Sequence, residues 1–393
     1  MTNIAVINYG AQHDYSAMLP EVAGNLHVFS HNELANTEKF ALYEYVEDCE
    51  HVPYAELRIA QLARERPFTH LITDNEYDLE RAARIRESLG IPGQSRQSAL
   101  SFRDKAVMKE VAGRAVATPR FAGLETFTDL TDFIADNGYP VVVKPVKQGG
   151  SRDIAVLRGA EDLLAFSRRH WRDDLMAEEF VEGDMYHVDA VLAEGYRFVS
   201  SSRYLRSCLS VLSGQNSGSI QLHPQDKLAQ RLEEFLDRML EVFDTPPAAA
   251  YHLEVFHTAE DELVLCEVAS RAAGSSIPAI TRTTYGVDLH TTWLRLSCGL
   301  PVDPPPAGPP AVLHGSVGIV PQGRPVRPPE RLPFEWVAHY KVNEALPLGA
   351  TPQNSTSHLC FVIVRGACSD EVEQRLLEAE SWILEHLTEV PGS

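Results

Sequence analysis

The N-terminal part of the chain alternates short apolar runs with amphipathic segments. Ile4–Ile7, His27–Phe29 and Leu71–Thr73 have the length and composition of buried strands. Leu79–Leu89 has apolar residues at helical spacing, and a glycine follows it as a C-cap residue. Such alternation is typical of an open parallel sheet with covering helices. The sequence therefore predicts an N-terminal α/β domain, which we bound at residues 1–95.

The middle of the chain carries longer helical patterns. We expect helices at Ser101–Val111 and Thr128–Asn137, and a buried strand at Val141–Pro145. Lys227–Asp244 is a strongly amphipathic helix whose apolar stripe we assign to the core.

A proline-rich stretch separates this part from the C-terminal end. Gly299–Pro333 carries 11 of the 25 prolines, and Leu313–Val320 within it could still form a strand. Strands near Trp336–Tyr340 and Cys360–Val364 and a helix at Ser369–Leu387 predict a final α/β unit.

Length, composition and charge narrow the class of protein. The chain has 393 residues, 44% of them hydrophobic, which is enough for substantial cores. A net charge of −20 argues against binding nucleic acid or an anionic membrane. No apolar run is long enough for a membrane span, and the start does not resemble a signal peptide. The cysteines are scattered, so they predict neither a zinc site nor a disulfide framework but a reduced, cytoplasmic enzyme: Cys49, Cys208, Cys266, Cys298, Cys360 and Cys368.

Two glutamates stand out in a predicted β-hairpin. Tyr251–Phe256 and Glu262–Val268 are strand-like. A symmetric hairpin centred between Glu260 and Asp261 places Glu254 opposite Glu267. Directly opposed like charges destabilise a sheet, and Mg²⁺ held between them resolves the repulsion. The alternative is a solvent-facing edge hairpin. Arg271, just past the second strand, could pair with either glutamate or bind a phosphoryl group.

A lysine and a glycine-rich loop form a second candidate site. Lys144 lies inside a β-branched strand, where a buried ammonium group needs an anionic partner. The following Gly149-Gly150-Ser151 could bring backbone N–H groups close to a phosphate, although no Walker A motif is present. A plain flexible turn is the alternative.

Three further polar features are open to two interpretations. The acidic strip from Glu178 and the carboxylate of Asp189 could bind a nucleotide, or form an ordinary acidic strand and turn. Glu76, beyond a predicted strand, could bind a ligand at the carboxyl edge of the sheet or be a solvated loop residue. Arg203–His223 could determine substrate choice, with an arginine holding a second carboxylate, or carry solubilising arginines.

Taken together, these motifs resemble those of the ATP-grasp superfamily. Arg103-Asp104-Lys105, Tyr139-Pro-Val-Val-Val-Lys-Pro, Gly-Gly-Ser, Glu-Glu-Phe-Val and the two-glutamate hairpin follow in the order of that superfamily over about residues 60–300. The ending Glu267-Val-Ala-Ser-Arg-Ala-Ala-Gly is most similar to that of L-amino-acid ligases and related carboxylate–amine ligases.

The resemblance implies a fold and a domain plan. The fold class is α/β, more exactly the α+β ATP-grasp fold, with an N-terminal open parallel sheet, lid and core subdomains and a C-terminal α/β unit. The ATP-grasp domain would span residues 96–300, with a lid subdomain at about 115–180, and the C-terminal domain would span 301–393.

The resemblance also implies site residues. ATP would be bound by Lys105, Lys144, Gly149, Gly150, Ser151, Glu178, Glu179, Phe180, Val181 and Asp189. Glu178 would accept from the adenine amino group, and Asp189, or alternatively Asp184, would reach the ribose. Mg²⁺ would be held by Glu254 and Glu267, and Arg271 would be catalytic. Substrate would be bound by Glu76, Arg203, Gly274 and Ser275.

Three positions depart from the superfamily pattern. Ala269 stands where many relatives have an asparagine ligand for a second metal ion, and Met185 stands where a ribose-binding glutamate is common. Asp153 replaces a glycine of the phosphate loop, which places an acidic residue near the phosphates.

The expected function is an ATP-dependent carboxylate–amine ligase that forms an amide bond through an acyl phosphate. Its cofactors would be ATP and Mg²⁺, and its partners small-molecule carboxylates and amines in a homodimer, with no nucleic acid or membrane. Three alternatives remain open: acylation of a carrier-protein thiol, carboxylation of a biotinyl group supplied by a partner, and a non-catalytic nucleotide-binding module.

Overall fold

A computed structural model describes residues 2–9, 12–49, 51–207, 210, 214–321, 323–344, 346–351 and 358–390. The N-terminal part is a four-stranded parallel sheet of order β3-β2-β1-β4 with helices on its faces. The central strand β1 is buried along its whole length, as expected of an apolar strand between two neighbours. The elements are β1 (Ile4–Asn8), α1 (Tyr15–Met18), β2 (Leu26–Ser30), β3 (Leu42–Tyr45), α2 (Tyr54–Glu65), β4 (His70–Thr73) and α3 (Leu79–Leu89).

The next segment forms a small antiparallel sheet of order β5-β8-β6-β7, covered by two helices. The elements are α4 (Arg96–Ser101), α5 (Lys105–Ala112), β5 (Phe121–Leu124), α6 (Phe127–Asn137), β6 (Val141–Pro145), β7 (Ala155–Leu157), α7 (Ala160–Phe166) and β8 (Leu175–Glu179). The helix predicted at Ser101–Val111 is confirmed from Lys105 onward, but its predicted start is wrong, because Ser101 ends a separate helix. The Asp104 carboxylate accepts from the backbone N–H groups of Ala106 and Val107 and so begins a new helix at Lys105.

The third segment contributes the strands that carry the hairpin glutamates. Its elements are β9 (Asp184–Ala193), β10 (Tyr196–Tyr204), β11 (Ser217–Gln221), α8 (Lys227–Leu240), β12 (Ala248–His257), β13 (Leu263–Ala269), α9 (Ile277–Tyr285) and α10 (Leu289–Ser297). The apolar stripe of α8 is buried against β9 and β12, as predicted, and the helix ends four residues before the expected Asp244.

The C-terminal segment continues the same sheet. Its elements are β14 (Leu313–Ile319), β15 (Val326–Arg327), β16 (Val337–Val342), β17 (Cys360–Gly366), α11 (Ser369–Glu385) and β18 (Thr388–Glu389). One eight-stranded sheet runs β13-β12-β9-β10-β11-β14-β17-β16, and every pair in it is antiparallel. The strand predicted inside the proline-rich stretch is therefore confirmed as β14. The domain boundaries at 95 and 300 stay predictions.

The described residues include no helix that is both long and apolar enough to cross a membrane. The expected α/β class with an N-terminal parallel sheet is confirmed.

Candidate active site

The hairpin of β12 and β13 brings the two glutamates together. Glu254 pairs directly with Glu267, and the register shifts by one residue just beyond this pair. The shift is a β-bulge, which leaves Cys266 as the extra residue on β13. Both glutamate side chains are largely buried, at 12% and 28% exposure. The predicted pairing is thus confirmed.

Each glutamate has a polar or charged partner. The Tyr204 hydroxyl donates to Glu254 Oε1 at 2.6 Å, and Lys105 Nζ lies 2.9 Å from Glu267 Oε2. Burial tends to raise the pKa of Glu254, but the hydrogen bond and charge of His252, together with the Tyr204 hydroxyl, lower it to about 2. Two opposed oxygen donors of this kind fit a hard divalent cation such as Mg²⁺.

Two cavities meet at this hairpin. The first, of about 270 Å³, lies between the small sheet and the hairpin. The second, of about 180 Å³, lies between the ends of β10 and β11 and the turn after β13. Both cavities are lined by Gly150, Ser151, Glu254 and Glu267, so these four residues mark the junction between them.

Three lysines lie beside the first cavity. Lys144 Nζ is 2.5 Å from Glu178 Oε1, and Lys109 Nζ is 3.3 Å from Glu178 Oε2. Burial alone would lower the pKa of Lys144, but the nearby Glu178 charge reverses this and raises it. The Lys105 ammonium donates to the Gln148 carbonyl at 2.7 Å. Any contact between Glu178 and an adenine amino group would therefore compete with two ammonium groups.

The glycine-rich loop between β6 and β7 covers both cavities. Gly150 has a φ of 68°, a left-handed conformation in which glycine avoids the strain of a side chain. Ser151 and Asp153 adopt the same region with φ of 57°. The Asp153 carboxylate is 59% exposed and pairs with Arg172 at 2.9 Å, so this cation compensates the acidic charge expected near the phosphates.

The strip after β8 forms the far wall of the first cavity. Glu178, Glu179, Phe180 and Val181 all line it, as their predicted nucleotide role requires. The Glu179 carboxylate also pairs with Arg120 at 3.1 Å on the surface. Apolar contacts come from Val142, Ile154, Met185 and Phe256.

Asp189 does not lie in either cavity. It is buried in β9, where His187 and His252 contact its two oxygens at 2.7 and 2.9 Å. Burial would raise its pKa, but the two histidines hold it low. Its side chain is 1% exposed and both oxygens already contact histidines, so the structure does not place Asp189 where a ribose in the first cavity would lie.

Glu76 joins two arginines at the carboxyl edge of the parallel sheet. Arg271 donates to Glu76 Oε2 through Nη2 at 2.7 Å and Nε at 3.0 Å, and Arg103 pairs with the other oxygen. Burial would raise the pKa of Glu76, but the charges of Arg271, Arg103 and Lys105 lower it to about 2. Arg271 lines the second cavity, so Glu76 fixes the guanidinium group there. Glu76 itself is not among the residues lining either cavity.

Of the remaining residues predicted to bind substrate, two line the second cavity and one does not. Gly274 and Ser275 line the second cavity. Arg203 does not, because its guanidinium pairs with Glu373 of α11 at 2.6 Å. Arg206 lines the cavity instead and pairs with Glu380 of α11 at 2.6 Å. Within Arg203–His223, residues 208, 209 and 211–213 lie outside the described part of the chain.

Sequence reasoning missed several residues of this site. Lys109 lies one helical turn after Lys105, so the i, i+4 spacing could have placed it beside the same acidic strip. His252 lies two residues before Glu254 in β12. Because side chains two residues apart on a strand point to the same face, this spacing could have predicted that His252 lies beside Glu254. Tyr204 had no signal of this kind, because its contact with Glu254 depends on how β10 lies across the sheet.

Comparisons with known proteins agree with this geometry. No family model matches the chain. A region of 247 residues is 24% identical to an L-arginine-specific L-amino acid ligase of Bacillus subtilis, covering 60% of this chain and 59% of that protein. Another of 102 residues is 35% identical to a D-alanine–D-alanine ligase of Cupriavidus taiwanensis, covering 25% of this chain and 31% of that protein. The chain thus spans about three fifths of the length of the L-amino acid ligase and about a third of the length of the D-alanine–D-alanine ligase.

Solved structures match over nearly the whole chain. An L-amino acid ligase from Bacillus licheniformis superposes with a TM-score of 0.76 at 16% identity, covering 100% of this chain and 99% of that one. A carboxyaminoimidazole ribonucleotide synthase from Aspergillus clavatus complexed with ATP gives a TM-score of 0.70 at 16% identity, covering 96% and 98%. The protein has the ATP-grasp fold. Its sequence resembles those of ATP-grasp ligases, an L-amino-acid ligase among them.

Proposed function

We propose that the protein is an ATP-dependent carboxylate–amine ligase acting on amino acids. The observation that carries this proposal is the meeting of two cavities at Glu254, Glu267 and the glycine-rich loop. A nucleotide in the first cavity and a carboxylate in the second would have their reacting ends at this junction. The ligase names of the relatives support the same reaction class.

The first cavity suits ATP at both ends. Its apolar residues would contact the base, with the strip Glu178–Val181 beside them. The Lys105 and Lys144 ammonium groups lie at its inner side and would bind phosphate oxygens. Backbone N–H groups of Gly149–Ser151 would cover the terminal phosphates.

Glu254 and Glu267 would hold Mg²⁺. The ion would supply positive charge beside the transferring phosphoryl group. Without the ion, the two carboxylates would repel the negatively charged phosphoryl group. Ala269 follows Glu267 by two positions and offers no side-chain ligand, so these two glutamates are the candidate pair.

The chemistry follows from this arrangement. A carboxylate oxygen of the first substrate attacks the γ-phosphorus in line, the bond to the β–γ bridging oxygen breaks, and ADP leaves. An amine then attacks the acyl phosphate, loses a proton and expels phosphate, leaving an amide. Arg271, held by Glu76, would stabilise the negative charge on the reacting oxygens with its planar fork. The loop over the junction would keep water from the acyl phosphate.

The second cavity would hold the substrates. Its volume of about 180 Å³ suits small molecules such as amino acids. Arg206, Gly274 and Ser275 line it, and the Arg206 guanidinium could bind a substrate carboxylate while Glu380 positions it. The homodimer and the cytoplasmic location expected from the sequence stay predictions.

The test is phosphate release from ATP and Mg²⁺ with single amino acids and with pairs, followed by mass spectrometry. We expect release that needs a pair, with a product mass equal to the two substrates minus water. Glu267→Gln should abolish release, whereas Glu260→Gln, an exposed turn residue of the same hairpin, should not. ATP binding without release on any pair would contradict the proposal and favour a binding module. Transfer of the acyl group to a carrier-protein thiol would contradict the proposal that the acceptor is an amine, but not the proposal that ATP activates a carboxylate.

A further inference from the structure

Two histidines and an aspartate meet at a place that the proposed reaction does not use. His13 precedes α1, Asp74 follows β4, and His290 lies in the first turn of α10. His13 Nε2 is 2.9 Å from Asp74 Oδ2, and the two imidazole rings are 4.7 Å apart between centroids. One donor atom from each of the three side chains lies within 4.8 Å of the others.

This cluster contains polar atoms without partners. The Asp74 side chain is fully buried, and its Oδ1 has no hydrogen-bond partner among the described residues. His290 Nδ1 is buried and, within the same part of the chain, also has none. An unsatisfied buried polar atom costs about 1–3 kcal/mol. Two such atoms in one cluster of side chains indicate room for a ligand that accepts lone pairs.

We propose that His13, Asp74 and His290 bind a divalent transition-metal ion, specifically Zn²⁺. Two imidazole nitrogens and one carboxylate oxygen are a donor set typical of zinc sites with an open fourth position. Tetrahedral zinc bonds of about 2.0 Å place donor atoms about 3.3 Å apart, so small side-chain rotations suffice. Imidazole donors favour zinc over Mg²⁺, which separates this site from the oxygen-only pair at the hairpin.

Tyr15 supports the site from behind. Its hydroxyl donates to Asp74 Oδ2 at 3.1 Å and so orients the carboxylate. Loss of such an outer hydrogen bond typically weakens metal affinity by about 10–100-fold.

The other histidine pair lacks these features. His187 contacts Asp189 through Nδ1 and Ser219 through Nε2, both at 2.7 Å, and His252 Nδ1 contacts Asp189 at 2.9 Å. Its members satisfy one another, so a metal ion would have to break existing hydrogen bonds. Of these two clusters, the His13 cluster is the one with possible metal-ligand atoms that lack hydrogen-bond partners among the described residues.

The ion would join distant parts of the chain. Asp74 precedes Glu76 by two residues at the end of β4, and α10 packs on the large sheet. Zinc would therefore fix the carboxyl edge of the parallel sheet, and with it the Glu76–Arg271 pair, to the rest of the protein. The inference goes beyond the proposed ligase reaction and does not depend on it.

The test uses the full chain, freed of metal by a chelator and kept in excess Mg²⁺ to occupy oxygen-only sites. Co²⁺ is titrated while its visible absorption is recorded, and Zn²⁺ is then added to displace it. We expect one equivalent with a low-symmetry spectrum of nitrogen and oxygen ligands, displaced by Zn²⁺. His290→Gln and His13→Gln should each weaken binding at least about tenfold, and Tyr15→Phe by about 10–100-fold.

Variants outside the cluster and a measurement of thermal stability serve as controls. His187→Gln and Glu267→Gln should bind Co²⁺ as the wild type does. Zn²⁺ should raise the melting temperature of the wild type but not of His290→Gln. His13 is 23% exposed in a loop, so its variant tests the site even if His290→Gln fails to fold. Binding that is absent in the wild type, or lost in His187→Gln or Glu267→Gln but kept in His13→Gln, would overturn the proposal.

Discussion

Replacing Glu76 with glutamine should destabilise the protein strongly at neutral pH. The carboxylate is 13% exposed and lies between Arg103 and Arg271. Glutamine keeps the shape but removes the charge, so two largely buried guanidinium groups lose their shared anion.

The size of this effect follows from the pKa of Glu76. The charges of the two arginines and of Lys105 lower it from 4.5 to about 2, and each unit corresponds to about 1.4 kcal/mol. The ionised carboxylate therefore contributes about 3 kcal/mol at pH 7. Since the folded-state pKa is the lower one, this contribution is present above the ordinary pKa and is lost as the pH falls toward 2.

Urea unfolding of wild type and Glu76→Gln measures this difference. We expect about 3 kcal/mol near pH 7, shrinking to about 2 kcal/mol near pH 3.5. The matched control is Glu87→Gln, which breaks an exposed pair with Arg96 and should cost less than about 1 kcal/mol at either pH. A Glu76→Gln variant no less stable than Glu87→Gln, or a loss that does not change with pH, would refute the reasoning.

Three further substitutions test the cavities. Lys144→Met should weaken ATP binding at least about tenfold by calorimetry, because a buried ammonium group beside the cavity proposed to bind the nucleotide is lost. Tyr204→Phe should raise the Mg²⁺ concentration for half-maximal activity by about tenfold with little change in kcat, because its hydroxyl orients Glu254. Arg206→Ala should raise the KM of an amino-acid substrate at least about tenfold, whereas Arg203→Ala should leave it within about twofold, since Arg206 lines the second cavity and Arg203 does not.

Each of these has a clear contrary result. Lys147→Met is the control for Lys144, because Lys147 is 39% exposed and pairs with Glu80; equal effects of the two would contradict a specific phosphate contact. A Tyr204→Phe enzyme that loses kcat with an unchanged Mg²⁺ requirement would place the tyrosine outside metal binding. Equal effects of the two arginine variants would mean that the cavity does not discriminate between them.

The hairpin illustrates what the sequence could predict. The pairing of Glu254 with Glu267 is confirmed, but by a different route from the symmetric turn assumed between Glu260 and Asp261. His257 pairs with Leu263, which centres the turn on Glu260, and the bulge at Cys266 then restores the glutamate pair. A bulge depends on local packing between strands and leaves no periodic signal, so the sequence predicts the site but not its backbone.

Other differences have similar physical causes. Arg203 and Arg206 are alike in the sequence, and only their contacts with Glu373 and Glu380 of α11, about 170 residues away, decide which one faces the cavity. The motif order predicted the fold, because each motif is local. The burial of Asp189 depends on β12, which is distant in sequence from β9 and contributes His252, so position alone could not place it.

The pairing of β11 with β14 has a consequence for any attempt to shorten or recombine this protein. A chain that stopped in the proline-rich stretch would leave β11 as an open edge, with unpaired N–H and C=O groups ready to bind another molecule. It would also remove α11, whose Glu380 holds Arg206 at the second cavity. A chimera that exchanges substrate range with a related ligase must therefore transfer the last eighty residues together with the cavity loops.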